Sequence, residues 1–428
     1  MIALALALIL SSPLPSSPLA LSPLPSSPLP SSPLALSPPS SSPLPASPLP
    51  EDVAKIQRTG SIGVLAASPL AASPPPSSPL PASPPSSSPL PEDVAKIQRT
   101  GSIGVLAETG DGDRARAGVA VLGTTRKIPF NARFRVASGT KAFTATVLLQ
   151  LAGEDRLHLD DSVSRWLPRL DTRITVRHLL QHTSGLFDYF RAPGSWPQLH
   201  TAAGFATHRL RTYHPSELVT LALKHPLAFP PGTRWSYSNT NYILAGMLIE
   251  KITGRTWAQE VRRRILRPLG LRATSVPETD PIIHGPHARA YRHYPDAPGP
   301  TDVTEVNPSM GGAAGAIITS ATDLNHFQRA LNSGRLLRPA QLAAMRTTVK
   351  TDADAQSVWP GARYGLGQFW IPLRCGGGYW GHGGDGLGFT TRAGVHPGNG
   401  RSVVVSGTSE ATEAFDRTTT DLIEHALC

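Results

Sequence analysis

A hydroxyl and an amine stand three residues apart at Ser138 and Lys141, inside "VASGTKAFTATVLLQLAG" (136–153). On a helix that spacing sends both side chains out of one face, with Cβ atoms about 5–6 Å apart. The stretch is apolar nearly all round, through Ala142, Phe143, Val147, Leu148 and Leu151, so the helix is expected inside a core, ending with Gly153 as its C′ residue. Burial disfavours a protonated amine, and a helix N-terminus favours an alkoxide-like oxygen. A neutral Lys141 can then take the Ser138 proton, which an arginine cannot do. In a chain with 33 Arg and 7 Lys, a lysine here is informative. The competing reading makes Ser138 an N-cap and lets Lys141 reach solvent.

Two further groupings bear chemistry. "PPGTRWSYSNTNYILAGMLIEKITG" (230–254) sets Tyr237-Ser238-Asn239 before an amphipathic helix. A phenol beside a neutral amine can relay protons, and the Asn239 amide can hold a peptide-like group; Asn239 or Thr240 could equally cap the helix. "YWGHGGDGLGF" (379–389) sets His382-Gly383-Gly384-Asp385 at a strand end. Glycines there admit a substrate close to the backbone, where a strand amide can donate to an oxyanion. The same string spells G-x-G-x-x-G at Gly381, Gly383 and Gly386. A dinucleotide site needs a helix after it, and a strand-like run follows instead, so no cofactor is expected.

Histidines offer less. His284, His287 and His293 lack the partners of a metal site, and no metal is expected. His178 and His182 lie i, i+4, but "HTSGL" reads as a helix end and turn, with Thr183 and Ser184 bonding locally.

The elements that must position these groups begin late in the chain. Of 428 residues, the first 91 hold 24 of the 44 prolines and only Glu51, Asp52, Lys55 and Arg58 as charges, so this tract is expected to stay extended. A block, "SPLPEDVAKIQRTGSIGVLA", stands at 47–66 and again unchanged at 88–107. Two copies are too few for a solenoid, and the folded domain is expected over 92–428. "MIALALALIL" has a signal-like apolar run without preceding basic residues, too short to span a bilayer. The alternative is a start placed too far upstream. Two cysteines, Cys375 and the terminal Cys428, are expected to join in a disulfide, which with the signal-like start implies export; two free thiols are the other reading. The +10 charge is scattered, with only Arg262, Arg263 and Arg264 adjacent on an amphipathic helix, so nucleic acid is not an expected partner.

Strand-like runs stand at "RAGVAVLG", "RFRVAS", "YGLGQFWI", "YWGHGG", "GFTTRAGVHP" and "RSVVVSGTS". Helical runs fill the middle, among them "DDSVSRWLP", "TVRHLLQH", "PSELVTLALKH", "TWAQEVRRRILRPLG", "SATDLNHFQRALNSG" and "RPAQLAAMRT", and "EATEAFDRTTTDLIEHAL" closes the chain. An α+β fold is expected: one antiparallel sheet from both chain ends, flanked by helices, with an inserted helical lobe and a cleft between them.

In order and spacing, Ser138-x-x-Lys141, Tyr237-x-Asn239 and His382-x-Gly384 resemble the penicillin-recognising serine hydrolases, which include D-alanyl-D-alanine carboxypeptidases, class C β-lactamases, esterases and D-aminopeptidases. "LLQHTSGL" (179–186), "GAAGAIITSATDLNHF" (312–327) and "GHGGDGLGF" (381–389) extend the likeness over 92–428. The resemblance implies a β-lactamase/transpeptidase-like fold, Ser138 as acylated nucleophile, and Lys141 with Tyr237 as general base and acid. It implies substrate binding by Asn239, His382, Gly383 and Gly384, and an oxyanion hole from the backbone N–H groups of Ser138 and Asp385. The expected activity is that of a D-alanyl-D-alanine carboxypeptidase-like or β-lactamase-related peptidase or amidase, on small peptide, β-lactam, ester or peptidoglycan substrates; the alternatives are a non-turnover β-lactam or cell-wall sensor of the same fold, and an esterase or D-aminopeptidase. Tyr237-Ser238-Asn239 and the lack of an E-x-x-L-N segment depart from the class A pattern. Carboxypeptidase relatives often place hydroxyls where Gly383 and Asp385 stand, so Asp385 is expected to repel a substrate carboxylate unless an Arg or His382 compensates.

Overall fold

The computed structural model describes residues 89–428; the signal-like start, the first repeat copy and nearly all the proline-rich tract lie outside the described residues. The second repeat copy supplies helix α1 (Leu90–Arg99) and most of strand β1 (Gly104–Thr109). Its sequence explains the helix. Glu92 and Asp93 sit in the first turn and Lys96 and Arg99 in the last, which suits the helix dipole, while Leu90, Val94 and Ile97 bury one stripe.

Strand β1 pairs with β2 (Arg114–Gly118) and with the chain's last strand. Two small pairs follow: β3 (Arg133–Arg135) with β6 (Ile318–Ser320), and β4 (Tyr291–Arg292) with β5 (Thr301–Asp302). The remaining strands are β7 (Val349–Lys350), β8 (Arg363–Tyr364), β9 (Phe369–Pro372), β10 (Gly378–Gly381), β11 (Gly384–Asp385), β12 (Thr390–Val395) and β13 (Ser402–Gly407). They complete an antiparallel sheet in the order β2-β1-β13-β12-β10-β9-β8-β7, with β11 beside β12. The first and last strands, β1 and β13, thus pair side by side, next to the β2 edge of the sheet. Helices cover both faces: α1 and the Glu413–Leu427 helix on one, the Ala321–Asn332 helix on the other. In β13, Val403 and Val405 enter the core beneath α1 and the last helix while Val404 enters the core beneath the Ala321–Asn332 helix, as the period of two requires.

Several local expectations are corrected. "RAGVAVLG" leaves the ladder at Gly118, whose φ of +73° and closeness to the Ile103 carbonyl admit no side chain. "DDSVSRWLP" forms only one tight turn, Val163–Arg165. Gly153 is the last helical residue, and the left-handed conformation falls on Asp155 instead. In the arginine triplet Arg262 and Arg263 stay partly solvated, and only Arg264 is largely buried. Arg263 and Arg264 pair with the fully buried Glu260, Arg264 also with Glu154, and Arg262 with Glu278.

Cys375, in the turn between β9 and β10, is bonded to Cys428 at the end of the last helix, with Cα atoms 6.0 Å apart and a sequence separation of 53. Closing a loop of that length stabilises by about 4 kcal/mol in the chain-entropy model. Reduction should lower the thermal midpoint by about 5 °C in a domain of this size. An unchanged midpoint after verified reduction would show that the bridge adds nothing.

Candidate active site

Ser138 lies on a tight turn, Ala137–Gly139, which runs directly into helix α2 (Thr140–Gly153). Ala137 is held at a φ of +45°, a conformation costly for a residue with a Cβ and maintained by packing around it. Strand β11 presses on this turn. A Cβ on Gly384 would fall 2.1 Å from the Val136 carbonyl oxygen and 2.9 Å from Ser138 N, so only glycine fits.

Lys141 follows in the first turn of α2 and is fully buried. Its Nζ is 3.1 Å from Ser138 Oγ, 2.8 Å from Asn239 Oδ1 and 2.9 Å from the Ala314 carbonyl oxygen. A neutral amine has two N–H groups and one lone pair. Donating to Asn239 and Ala314 leaves the lone pair for the hydroxyl of Ser138. Burial pulls the Lys141 pKa down to about 7, against the opposing pull of the Asp188 carboxylate.

Asn239 opens the Asn239–Thr253 helix, and Ser238 takes the cap position without a capping bond, its hydroxyl donating instead to the Phe187 carbonyl at 3.3 Å. The Asn239 amide is spanned by two partners: Oδ1 accepts from Lys141, and Nδ2 donates to Asp188 Oδ2 at 3.0 Å. Tyr237 interacts with the Ser138 side chain, and burial holds its phenol protonated, well above the usual range. Its ring packs against His182, tilted by 31° with centroids 4.3 Å apart, and Lys141 Nζ lies 4.8 Å from the Tyr237 ring centre. His182 Nδ1 accepts from the Ser238 N–H at 3.2 Å, tying the "HTSGL" turn to the Tyr237 segment. In that turn Ser184 donates to Asn241 and accepts from Leu186, whereas the buried Thr183 hydroxyl has no partner.

His382 is buried at the end of β10, its Nδ1 2.5 Å from the Gly383 carbonyl oxygen and its Nε2 3.2 Å from the Tyr364 hydroxyl. Nδ1–H donating to Gly383 and Tyr364 O–H donating to Nε2 describe a neutral ring. Burial, then Lys141, pull its pKa down to about 3. His382 therefore supports the floor of the site without adding charge. Gly383 carries the strand over the guanidinium of Arg392, and Asp385 pairs with that guanidinium at 2.9 Å. Ser138, Lys141, Tyr237, Asn239 and Gly384 converge on one point; the Cys375–Cys428 bridge lies at the β9–β10 turn. His284 pairs with Asp280, and among the described residues no cluster of three or more potential metal ligands forms.

The profile of the family described as Beta-lactamase matches residues 94–427. The chain belongs to that family. A solved D-stereospecific amidohydrolase from Streptomyces sp. is similar at 39% identity, covering 76% of this chain and 96% of that one, with a TM-score of 0.69. D-amino acid amidase from Ochrobactrum anthropi is similar at 26% identity over 78% and 97% of the two chains, with a TM-score of 0.68. Penicillin-binding protein 4* of Bacillus subtilis matches at 34% identity, over 37% of this chain and 34% of its own length. Esterase EstB of Burkholderia gladioli matches at 32%, over 39% and 44%. The chain thus spans less than half the length of these two curated relatives.

Sequence reasoning passed over four groups that the structure sets beside these residues: Asp188, His182, the Ala314 carbonyl and Arg392. Asp188 is one residue past "HTSGLF", in a stretch with no periodic signal. It caps the Tyr189–Arg191 turn by accepting from Phe190 N–H, which aims its second oxygen at Asn239. Through Asn239 this carboxylate favours the charged form of Lys141. The other groups facing Lys141 are the rings of Tyr237 and Tyr242 and the neutral His182 and His382. Removing the negative charge should lower the Lys141 pKa further. Asp188→Asn should therefore move the acid limb of the kcat/KM profile to lower pH by about one unit. An acid limb that stays in place would show that Asp188 does not set the charge of Lys141.

Proposed function

We propose that this chain hydrolyses amides or esters of D-configured residues through an acyl-enzyme on Ser138. The observation that carries the reading is the environment of Lys141 Nζ, where two carbonyl acceptors and one hydroxyl match the valences of a neutral amine. As Ser138 Oγ attacks the substrate carbonyl, its proton passes to Lys141 Nζ. The oxyanion forms against the N–H groups of Ser138 and Asp385, which the closeness of β11 to the Ser138 turn brings together. Tyr237, protonated and beside Ser138, relays a proton to the leaving nitrogen or oxygen. Water then enters, the relay runs in reverse, and the acid product leaves with Ser138 restored.

The D-configured amide or ester, rather than a D-alanyl-D-alanine carboxypeptide or a β-lactam, is favoured by similarity to the Streptomyces amidohydrolase, which this chain covers almost end to end. We assign the activity to residues 92–428 as one domain. The Cys375–Cys428 bridge supports action outside a reducing cytoplasm. No helix of the described residues is long and apolar enough to cross a membrane.

The test is a matched set of D- and L-phenylalanine amides and esters, with intact mass spectrometry of the quenched protein. Hydrolysis of the D forms with a transient acyl adduct on Ser138 is expected. Equal rates on the two enantiomers would overturn the stereochemical part, and no adduct on Ser138 would overturn the mechanism.

A further inference from the structure

Arg392 is a buried cation at the edge of the site with two carboxylates on it. Its side chain is 5% exposed. Asp416, on the last helix, accepts from Nη2 at 2.6 Å and from Nε at 3.1 Å. Asp385 accepts from Nη1 at 2.9 Å and from Nη2 at 3.4 Å. One carboxylate is enough to neutralise a guanidinium, and Asp416, mostly buried and fixed on its helix, does so. The second leaves the group of three with a net negative charge.

The position of Asp385 gives that surplus charge a consequence. Its side chain is 34% exposed, the most exposed of the three, and it lies on the short strand that presses against the Ser138 turn. Two residues earlier, Gly383 adds no side chain over Arg392: a Cβ there would fall 3.2 Å from both Arg392 Cδ and Nη1, and 3.3 Å from the Trp359 ring that packs beside the guanidinium. Without Asp385, a substrate lying along β11 would meet a guanidinium through this gap. With Asp385, it meets a carboxylate already holding that guanidinium. The same carboxylate is near enough to act electrostatically on the Tyr237 phenol, at the centre of the site.

We propose that Asp385 is a built-in competitor for the substrate's carboxylate. By occupying Arg392 it restricts the site to substrates whose leaving portion is uncharged or cationic, such as amides, esters and amines, and turns away peptides ending in a free carboxylate. The inference rests on the acyl-serine reading above and adds the residue that selects between neutral and acidic leaving groups. Like charges brought together at a desolvated edge disfavour binding. Replacing Asp385 leaves Asp416 to pair with Arg392, and the uncovered guanidinium face becomes available to a substrate.

The experiment compares D-phenylalanyl-D-alanine with its C-terminal amide, on the full chain and on Asp385→Ser and Asp385→Asn variants of matched thermal midpoint. The wild-type kcat/KM should favour the amide by about tenfold or more, and both variants should cut that ratio by about tenfold, chiefly through a lower KM for the acid. A general loosening of the site would slow both substrates together and leave the ratio alone. An unchanged ratio in a folded variant overturns the inference, and so does a wild-type ratio near one, which needs no variant. If the amide itself yields no adduct on Ser138, the hydrolase reading fails first and this inference with it. Adduct formation with an unaltered ratio leaves that reading standing and removes only the role of Asp385.

Discussion

Ser138→Ala is expected to remain folded and to lose hydrolysis of D-amino-acid amides and esters by a factor on the order of 10⁴ or more. The change removes a single oxygen from the tight turn ahead of α2. The turn itself is held by backbone contacts, including Val136 N–H to the Ile317 carbonyl at 3.0 Å. Lys141 keeps both of its carbonyl acceptors, so the loss leaves no buried donor stranded. What disappears is the atom that forms the acyl bond. Steady-state rates and intact mass spectrometry of the purified variant check this together. Residual turnover within tenfold of wild type, or an adduct on another residue, would place the nucleophile elsewhere.

Lys141→Arg is expected to be nearly as damaging as Lys141→Ala, with losses of about 10³-fold in kcat/KM for either. An arginine would keep a cation beside Asp188 but could not accept the Ser138 proton, since a guanidinium stays charged across the working range. It would also have to fit a larger, planar head between Ser138, Asn239 and Ala314, in space that holds only an amine. The wild-type pH profile tests the same idea independently. With a pKa near 7, Lys141 is the proton acceptor only above that value, so the rate should rise through about pH 7 and fall on acidification. Substantial rescue by Arg, or a rate flat from pH 5 to 8, would mean that the amine acts as a fixed charge and that another group takes the proton.

The local part of this arrangement was legible before any fold was known. Two side chains at i and i+3 share a helix face whatever surrounds the helix, so Ser138 and Lys141 could be paired from spacing alone. The all-round apolar character of α2 likewise announced that the amine would be buried. Runs such as "RSVVVSGTS" and the closing amphipathic helix carried enough periodicity to place strands and helices at the chain end, though short turns ran together with longer elements. Strand β1 was harder to see, because both of its faces are covered and "GVLAET" shows no alternation.

Tertiary structure alone decided who the partners of that pair would be. Asn239 reaches Lys141 across 98 residues and the Ala314 carbonyl across 173, separations at which no periodic signal survives. Asp188 became part of the site because a turn cap aims one carboxylate oxygen at Asn239, a matter of backbone direction rather than residue type. The motif gave the place of His382, but only the fold shows that burial and two internal partners, Gly383 and Tyr364, keep its ring neutral. The charge of Asp385 could be read from the chain, but not that it lies on Arg392. That depends on the pairing of β11 with β12, which brings Gly383 over the arginine stem and sets the acid beside its guanidinium. A residue's type records what it can do, while the partner that makes it neutral, charged or basic is chosen by packing between segments far apart in the chain.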